Sequence, residues 1–123
     1  MNAATAYEKL SSLRAQLPGC SLVLCSDLRS GTVLASDSDL TYPQEYLDAL
    51  SEAAMQLLAP FEPNQDAPDL VLVSEISGLR LFCNNAATPD LGLTCLASFD
   101  LDVAHLQSVV SDFLSALAHE RVT

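Results

Sequence analysis

Two short segments of the chain are apolar at every position, residues 22–25 (Leu-Val-Leu-Cys) and residues 70–73 (Leu-Val-Leu-Val). Successive side chains of a β-strand point to opposite faces of its sheet, so strands with these sequences are apolar on both faces. A sheet that contains such strands must be covered on both sides. The two segments therefore predict a sheet that lies between layers of helices.

Three segments carry the apolar spacing of amphipathic helices. They cover residues 3–17, residues 43–58 and a final stretch that begins at Asp100 or Asp102. Pro43 suits the first turn of the second helix, and an aspartate is a preferred cap for the start of the third. Three helices are enough to cover a sheet on both faces, with two helices on one face and one on the other.

Five runs with the composition of strands lie between the predicted helices. They cover residues 20–26, 32–36, 69–75, 79–84 and 91–98. The element order is therefore α-β-β-α-β-β-β-α, and the short connections favour antiparallel neighbours. Residues 59–68 hold three prolines and predict a loop. A chain of 123 residues has the usual size of one domain, so residues 1–123 are expected to form a single domain.

The charge of the chain restricts its partners. Sixteen acidic residues against five basic ones give a formal net charge of −11. Phosphate backbones and anionic lipid surfaces are bound through clusters of Lys and Arg, so neither nucleic acid nor a membrane is expected as a partner. The excess acid is explained either by solubility or by steering toward a basic partner surface.

The chain is expected to be cytoplasmic, because no apolar run approaches the roughly 20 residues of a membrane span and the start lacks the pattern of a signal peptide. Thiols stay reduced there, so Cys20, Cys25, Cys83 and Cys95 are expected to be buried small hydrophobes rather than disulfides. Cys20 and Cys25 are an odd number of residues apart, which predicts opposite faces of their strand. No metal site and no cofactor are therefore expected.

The sequence carries no recognisable catalytic motif, which favours a protein without enzymatic activity. None of the four glycines precedes a lysine, so the phosphate-binding loop of nucleotide-binding proteins is missing. Cys25, Ser26, Asp27 and His105 have the residue types of a nucleophile, an acid and a base. No nucleophile signature surrounds them, so no catalytic residue is predicted.

The second predicted helix carries a wider apolar arc than contact with one sheet needs. At about 100° per residue, its apolar side chains span about half of the circumference. They are Tyr46, Leu47, Ala49, Leu50, Ala53, Ala54, Leu57 and Leu58. Two interpretations follow: a well-buried core helix, or a helix that packs on its own sheet and also on a partner.

Residues 22–27 (Leu-Val-Leu-Cys-Ser-Asp), a short turn that ends at Gly31, and residues 33–36 (Val-Leu-Ala-Ser) together resemble the first hairpin of the roadblock family, which is named after a dynein light chain. The alanine-rich second helix, the strand at residues 70–75, the Ser77-Gly78 turn and the closing helix are similar to that family as well. The resemblance covers nearly the whole chain.

The resemblance implies an α/β (α+β) sandwich of the profilin-like or longin-like kind, in which a five-stranded antiparallel sheet lies between one helix and two. It also implies a homodimer, since members of that family pair through the second helix and the third strand. The residues expected at this dimer or partner interface are Tyr46, Ala49, Leu50, Ala53, Leu57, Val71 and Val73. Family members regulate or scaffold Ras-like small GTPases, so the implied function is a non-catalytic dimeric adaptor or regulator that binds such a GTPase.

Two other functions fit a small acidic α/β protein. Type III secretion chaperones are also small, acidic and dimeric, and they bind a segment of an effector. They place three strands between their first two helices, whereas residues 37–42 are too polar and too short for a third strand here. A sandwich domain that senses a small molecule would need a cavity, which periodicity does not reveal.

Overall fold

The computed structural model describes residues 3–59 and 68–122. In this part of the chain the elements are α1 (Ala3–Ala15), β1 (Cys20–Asp27), β2 (Thr32–Ser38), α2 (Gln44–Leu57), β3 (Leu70–Ser74), β4 (Leu79–Cys83), β5 (Leu91–Ala97) and α3 (Val103–Val122). The order is the predicted one, and every strand boundary lies within about two residues of its prediction, the usual uncertainty of element ends. The loop predicted at residues 59–68 lies mostly outside the described residues.

The strands form one antiparallel sheet in the order β2-β1-β5-β4-β3. β1 pairs with β2 and β5, and β4 pairs with β5 and β3. β2 and β3 are therefore the edge strands. The predicted five-stranded antiparallel sheet is confirmed.

The helices α1 and α3 cover one face of the sheet. Apolar side chains of both helices, together with Leu17 just after α1, point at this face and are buried with the sheet residues beneath them. This core includes Leu10, Leu13, Leu17, Val23, Cys25, Leu81, Leu93, Cys95, Leu106, Val110, Leu114 and Leu117. Each fully buried leucine or valine contributes about 1.5–3 kcal/mol, so this face holds most of the stabilising burial of the chain.

The helix α2 alone covers the opposite face. Its buried contacts form two smaller clusters, one of Leu22, Leu24, Leu47 and Leu50 and one of Ala54, Leu58 and Phe82. The predicted arrangement of two helices on one face and one on the other is confirmed.

The prediction that Cys20 and Cys25 face opposite sides of β1 is wrong, because both lie in the core under α1 and α3. The register of β1 against β5 shifts between Cys20 and Leu22, so one extra residue resets the alternation of faces. The Cys20 thiol donates a hydrogen bond to the Leu22 carbonyl oxygen across this shift, at 3.2 Å. Counting residues assigns faces only while the register is unbroken.

A buried carboxylate links α1 to the edge strand β2. The side chain of Asp37 is 5% exposed, and Arg14 Nε donates a hydrogen bond to its Oδ2 at 2.6 Å. This hydrogen bond raises the pKa of the Arg14 guanidinium above its ordinary value. Asp37 would be a buried charge without a cation if Arg14 were removed, which is costly.

We expect Arg14→Met to lower the free energy of unfolding by about 2 kcal/mol, less than the cost for a fully buried pair because Arg14 keeps some solvent contact. Methionine keeps an apolar stem and removes only the charged head. Urea denaturation measures the effect. The matched control is Arg29→Met, because Arg29 pairs with Asp27 at the surface and should leave stability unchanged. Equal stability of the two variants would contradict a structural role for the Arg14–Asp37 pair.

The four cysteines are all buried and form no disulfide. Burial raises the pKa of the Cys83 thiol to about 12. A hydrogen bond with Cys20, together with burial, raises the pKa of Cys95 well above the ordinary thiol value, and the same hydrogen bond lowers the pKa of Cys20. The thiolate is the reactive form, so the four side chains should differ in reactivity.

We expect the native protein to react slowly with a thiol-specific disulfide reagent at about pH 8, near the ordinary thiol pKa. Cys20 should react first, because it combines a lowered pKa with slight exposure. Four thiols should react after denaturation without a reductant. Cys20→Ser should remove the first phase and leave the other three unchanged. Immediate reaction of all four native thiols, or a denatured count near zero, would contradict this assignment.

Candidate protein-interaction surface

The wide apolar arc of α2 divides into two stripes. One stripe is buried against the sheet and consists of Leu47, Leu50, Ala54 and, just after the helix, Leu58. The second consists of Tyr46, Ala49, Ala53 and Leu57, which are half-buried or exposed. Residues at these spacings lie along one side of a helix. The helix therefore keeps an apolar stripe that its own sheet does not cover.

The uncovered stripe lies on the side of α2 that faces β3 and β4. Ala53 packs in the same cluster as Val71 and Val73 of β3, and Tyr46 contacts Arg80 of β4. The helix itself lies mainly over β1, β2 and β5. A helix with its side chains is about 10 Å wide, whereas five strands spaced about 4.8 Å apart span roughly 19 Å. One helix therefore leaves the β3 side of this face incompletely covered.

β3 is an edge strand without the usual protections against pairing. Among the described strands it pairs only with β4, and its sequence Leu-Val-Leu-Val-Ser holds no charge and no proline. The other edge strand, β2, carries the inward-facing Asp37 and a register shift opposite Cys25 and Ser26. Inward charges and bulges are devices that prevent edge pairing. β2 is therefore protected, whereas no described strand pairs with the outer edge of β3.

Six of the seven predicted interface residues lie on one surface, which we call the α2/β3 surface. They are Tyr46, Ala49, Ala53, Leu57, Val71 and Val73. The seventh, Leu50, is 2% exposed and packs in the core between α2 and the sheet, so it supports this surface from below. Sequence reasoning missed Leu72, which is 42% exposed on the opposite face of β3 because the edge of the sheet leaves it uncovered.

An aromatic and charged cluster lies at the N-terminal end of this surface. The rings of Tyr42 and Tyr46 stack with centroids 5.6 Å apart, and the Arg80 guanidinium carbon lies 5.7 Å from the Tyr46 ring centroid. Arg80 Nη2 donates to the Tyr46 hydroxyl at 3.4 Å, and Arg80 Nε lies 3.1 Å from Glu75 Oε1. The only feature of the sequence that could have predicted this cluster is Arg80, the one charged residue in the otherwise apolar strand β4. These contacts connect the first turn of α2 to the start of β4.

The structure does not assemble the catalytic set that the sequence allows on paper. Ser26 faces α2, where its Oγ lies 2.6 Å from Ser51 Oγ in the core. Cys25 faces the opposite side of the sheet. His105 lies at the start of α3, where its Nε2 is 3.1 Å from the Gln16 carbonyl oxygen. Ser26 and His105 therefore lie on opposite sides of the sheet, and Cys25 is buried in the core whereas His105 is exposed.

Residues 3–59 and 68–122 contain no group of three or more His, Cys, Asp or Glu side chains placed to hold a metal ion. None of the helices in these ranges combines the length and the hydropathy that crossing a bilayer requires. The feature that stands out is the α2/β3 surface.

No protein-family model matches the sequence, and no curated protein is significantly similar to it. Solved structures are similar over nearly the whole chain. A Roadblock/LC7 domain from Streptomyces avermitilis is 18% identical, with a TM-score of 0.77 over 94% of this chain and 97% of that one. MglB with a tetrameric arrangement is 15% identical, with a TM-score of 0.75 over 95% and 88%. The gliding protein MglB from Thermus thermophilus is 16% identical, with a TM-score of 0.72 over 96% and 91%.

TM-scores between 0.72 and 0.77 over nearly the whole chain show a shared fold, whereas identities below one fifth show no more than the fold. The sequence resemblance to the roadblock family is thus matched by the structural neighbours. The chain has the fold of the Roadblock/LC7 domains.

Proposed function

We propose that this protein is a non-catalytic homodimeric adaptor that binds and regulates a Ras-like small GTPase. The observation that carries the proposal is the apolar stripe of α2 beside the open edge of β3. Both features are apolar and adjacent, and the part of the chain that the structure describes covers them only partly. A surface of this kind fits protein binding better than it fits chemistry on a small molecule.

A second copy of the chain satisfies both features at once. A two-fold axis beside β3 would let the two β3 strands pair as antiparallel neighbours and would place each α2 stripe against the other. The pairing would supply hydrogen bonds to the free edge, and the stripes would exclude water from Tyr46, Ala53 and Leu57. The two sheets would then become one continuous sheet of ten strands.

The GTPase part of the proposal rests on the fold and on what the chain lacks. MglB is one of the proteins that share this fold, and the resemblance described above associates the roadblock family with Ras-like GTPases. The sequence lacks a phosphate-binding loop, so any nucleotide chemistry would belong to the partner. Two strands lie between α1 and α2, which favours this function over that of a type III secretion chaperone.

We expect Ala49→Arg and Ala53→Arg each to convert the dimer to a monomer, because each places a charge in the apolar contact between two α2 stripes. Light scattering after gel filtration measures the mass. Ala53 also packs on β3 of its own chain, so its substitution can disturb the fold. Ala49 is exposed, and its substitution tests the contact between copies alone.

The matched control is Ala104→Arg, an exposed alanine on α3 far from the α2/β3 surface. It should remain dimeric. The dimer proposal fails if Ala49→Arg keeps the wild-type mass while its circular dichroism spectrum stays native. The dimer proposal also fails if the wild-type protein is a monomer at micromolar concentration.

We expect the dimer to bind a Ras-like GTPase encoded in the same genome, with affinities that differ between the GTP-bound and GDP-bound forms. A regulator favours one nucleotide state only by binding it more tightly. Because this chain carries a net charge of −11, the contacted face of the GTPase should be basic and association should slow as salt rises. Pull-down with both nucleotides, followed by calorimetry on the purified pair, measures these effects.

Ala49→Arg should also weaken GTPase binding if the dimer is the binding form, whereas Ala104→Arg should not. Recovery of an unfolded secretion effector in place of a GTPase would favour the chaperone function. Equal affinity for the GTP-bound and GDP-bound forms would be compatible with an adaptor function. It would exclude a regulator that favours one nucleotide state.

A further inference from the structure

We propose that one end of the sheet forms a second protein-binding surface, which accepts a basic segment that carries large apolar side chains. Three loops build this surface: residues 39–43 between β2 and α2, residues 75–78 between β3 and β4, and residues 98–102 between β5 and α3. We call it the loop-end surface. It adjoins the α2/β3 surface at Tyr46 and does not depend on the proposed function.

Each of the three loops exposes a large apolar side chain. Leu40 is 64% exposed, Ile76 is fully exposed and Phe99 is 57% exposed. They are three of the seven large apolar side chains that stand out as exposed in the described residues. Side chains of this kind at loop tips contribute nothing to the core, so a concentration of them at one end marks a contact site.

Backbone hydrogen bonds place the loops at the same end of the sheet. The Asp39 N–H donates to the Ser21 carbonyl oxygen at 3.2 Å, and the Ser98 N–H donates to the Gly19 carbonyl oxygen at 2.9 Å. The turn between β3 and β4 packs against the end of β5, because a Cβ atom on Gly78 would lie 2.5 Å from the Ala97 carbonyl oxygen. The loops are therefore fixed relative to one another.

Two hollows flank the loop that carries Phe99. A hollow of about 380 Å³ on the α2 side is lined by residues that include Tyr42, Tyr46 and Glu75. A hollow of about 430 Å³ on the other side is lined by residues that include Asp100 and Asp102. In the first hollow Glu75 is paired with Arg80, which lines the same hollow, whereas the second combines apolar wall with the two carboxylates of Asp100 and Asp102. A lysine or arginine side chain complements such a hollow, because its aliphatic stem can contact the apolar wall and its cationic tip can pair with a carboxylate.

The charges at this end select a basic occupant. Asp39, Asp100 and Asp102 lie on or beside the three loops and are exposed. The nearby cations are already engaged, since Arg14 binds Asp37 and Arg80 binds Glu75 and Tyr46. A second copy of this chain would bring acid against acid, and phosphate groups would be repelled. A protein segment with Lys or Arg around an apolar residue complements both the charge and the exposed side chains.

The test uses ¹⁵N-labelled wild-type protein and a synthetic amphipathic helix built from lysine and leucine. We expect the largest amide shift changes at residues 39–42, 75–78 and 98–102, and weaker binding as salt rises. A second peptide with glutamate in place of every lysine keeps the leucines and should not bind. Shift changes centred on α2 and β3, changes spread over the whole surface, or equal binding of both peptides would overturn the proposal.

Variants then separate the apolar contacts from general attraction between opposite charges. Phe99→Ser and Ile76→Ser should each weaken peptide binding about tenfold, the effect of leaving one large apolar side chain unburied. The matched control is Leu34→Ser, which removes a similarly exposed apolar side chain from β2 and should not change the affinity. Equal affinities of the three variants would overturn the proposal. Light scattering on each variant shows whether the dimer is intact, so failure here is distinguishable from failure of the proposed function.

Discussion

The sheet is apolar on both faces, and the chain supplies three helices to cover them. Two helices, α1 and α3, can span five strands on one face, and the largest buried cluster lies there. The single helix α2 cannot span the other face, because a helix covers roughly the width of two strands. The position of α2 over β1, β2 and β5 therefore determines which part stays uncovered, namely β3 and the adjacent stripe of α2.

This division explains why an apolar arc that spans half of a helix need not mean a fully buried helix. Leu47, Leu50 and Ala54 lie toward the sheet, while Ala49 and Leu57 lie toward solvent. The two stripes are adjacent on the helix, so periodicity alone does not separate them. The position of the sheet edge separates them, and that position depends on strand order. The spacing of residues in the sequence therefore predicts the apolar arc, whereas the strand order of the sheet determines which half of the arc is exposed.

The same distinction separates what could be predicted from what could not. Element order and the facing of the stripes on α1 and α3 followed from local spacing, because each depends on residues close in sequence. Local spacing failed for Cys20, whose face depends on a register shift against β5. It was also silent on the pairs Arg14–Asp37 and Tyr46–Arg80, which join residues 23 and 34 positions apart across different layers. For the proposed site, it named the arc and β3 as the interface, and it could not tell that Leu50 lies in the core, because that depends on how α2 is rotated on the sheet.

The net charge of −11 acts in opposite directions on the two proposed assemblies. Two identical acidic chains repel each other, and the exposed Glu45, Asp48 and Glu52 of α2 lie near the proposed contact between copies. Apolar burial must exceed this repulsion, so screening by salt should strengthen the dimer. Attraction to a basic partner is weakened by the same screening. A single series of salt concentrations therefore separates the contact between copies from the contact with a partner, because only the first becomes tighter as ionic strength rises.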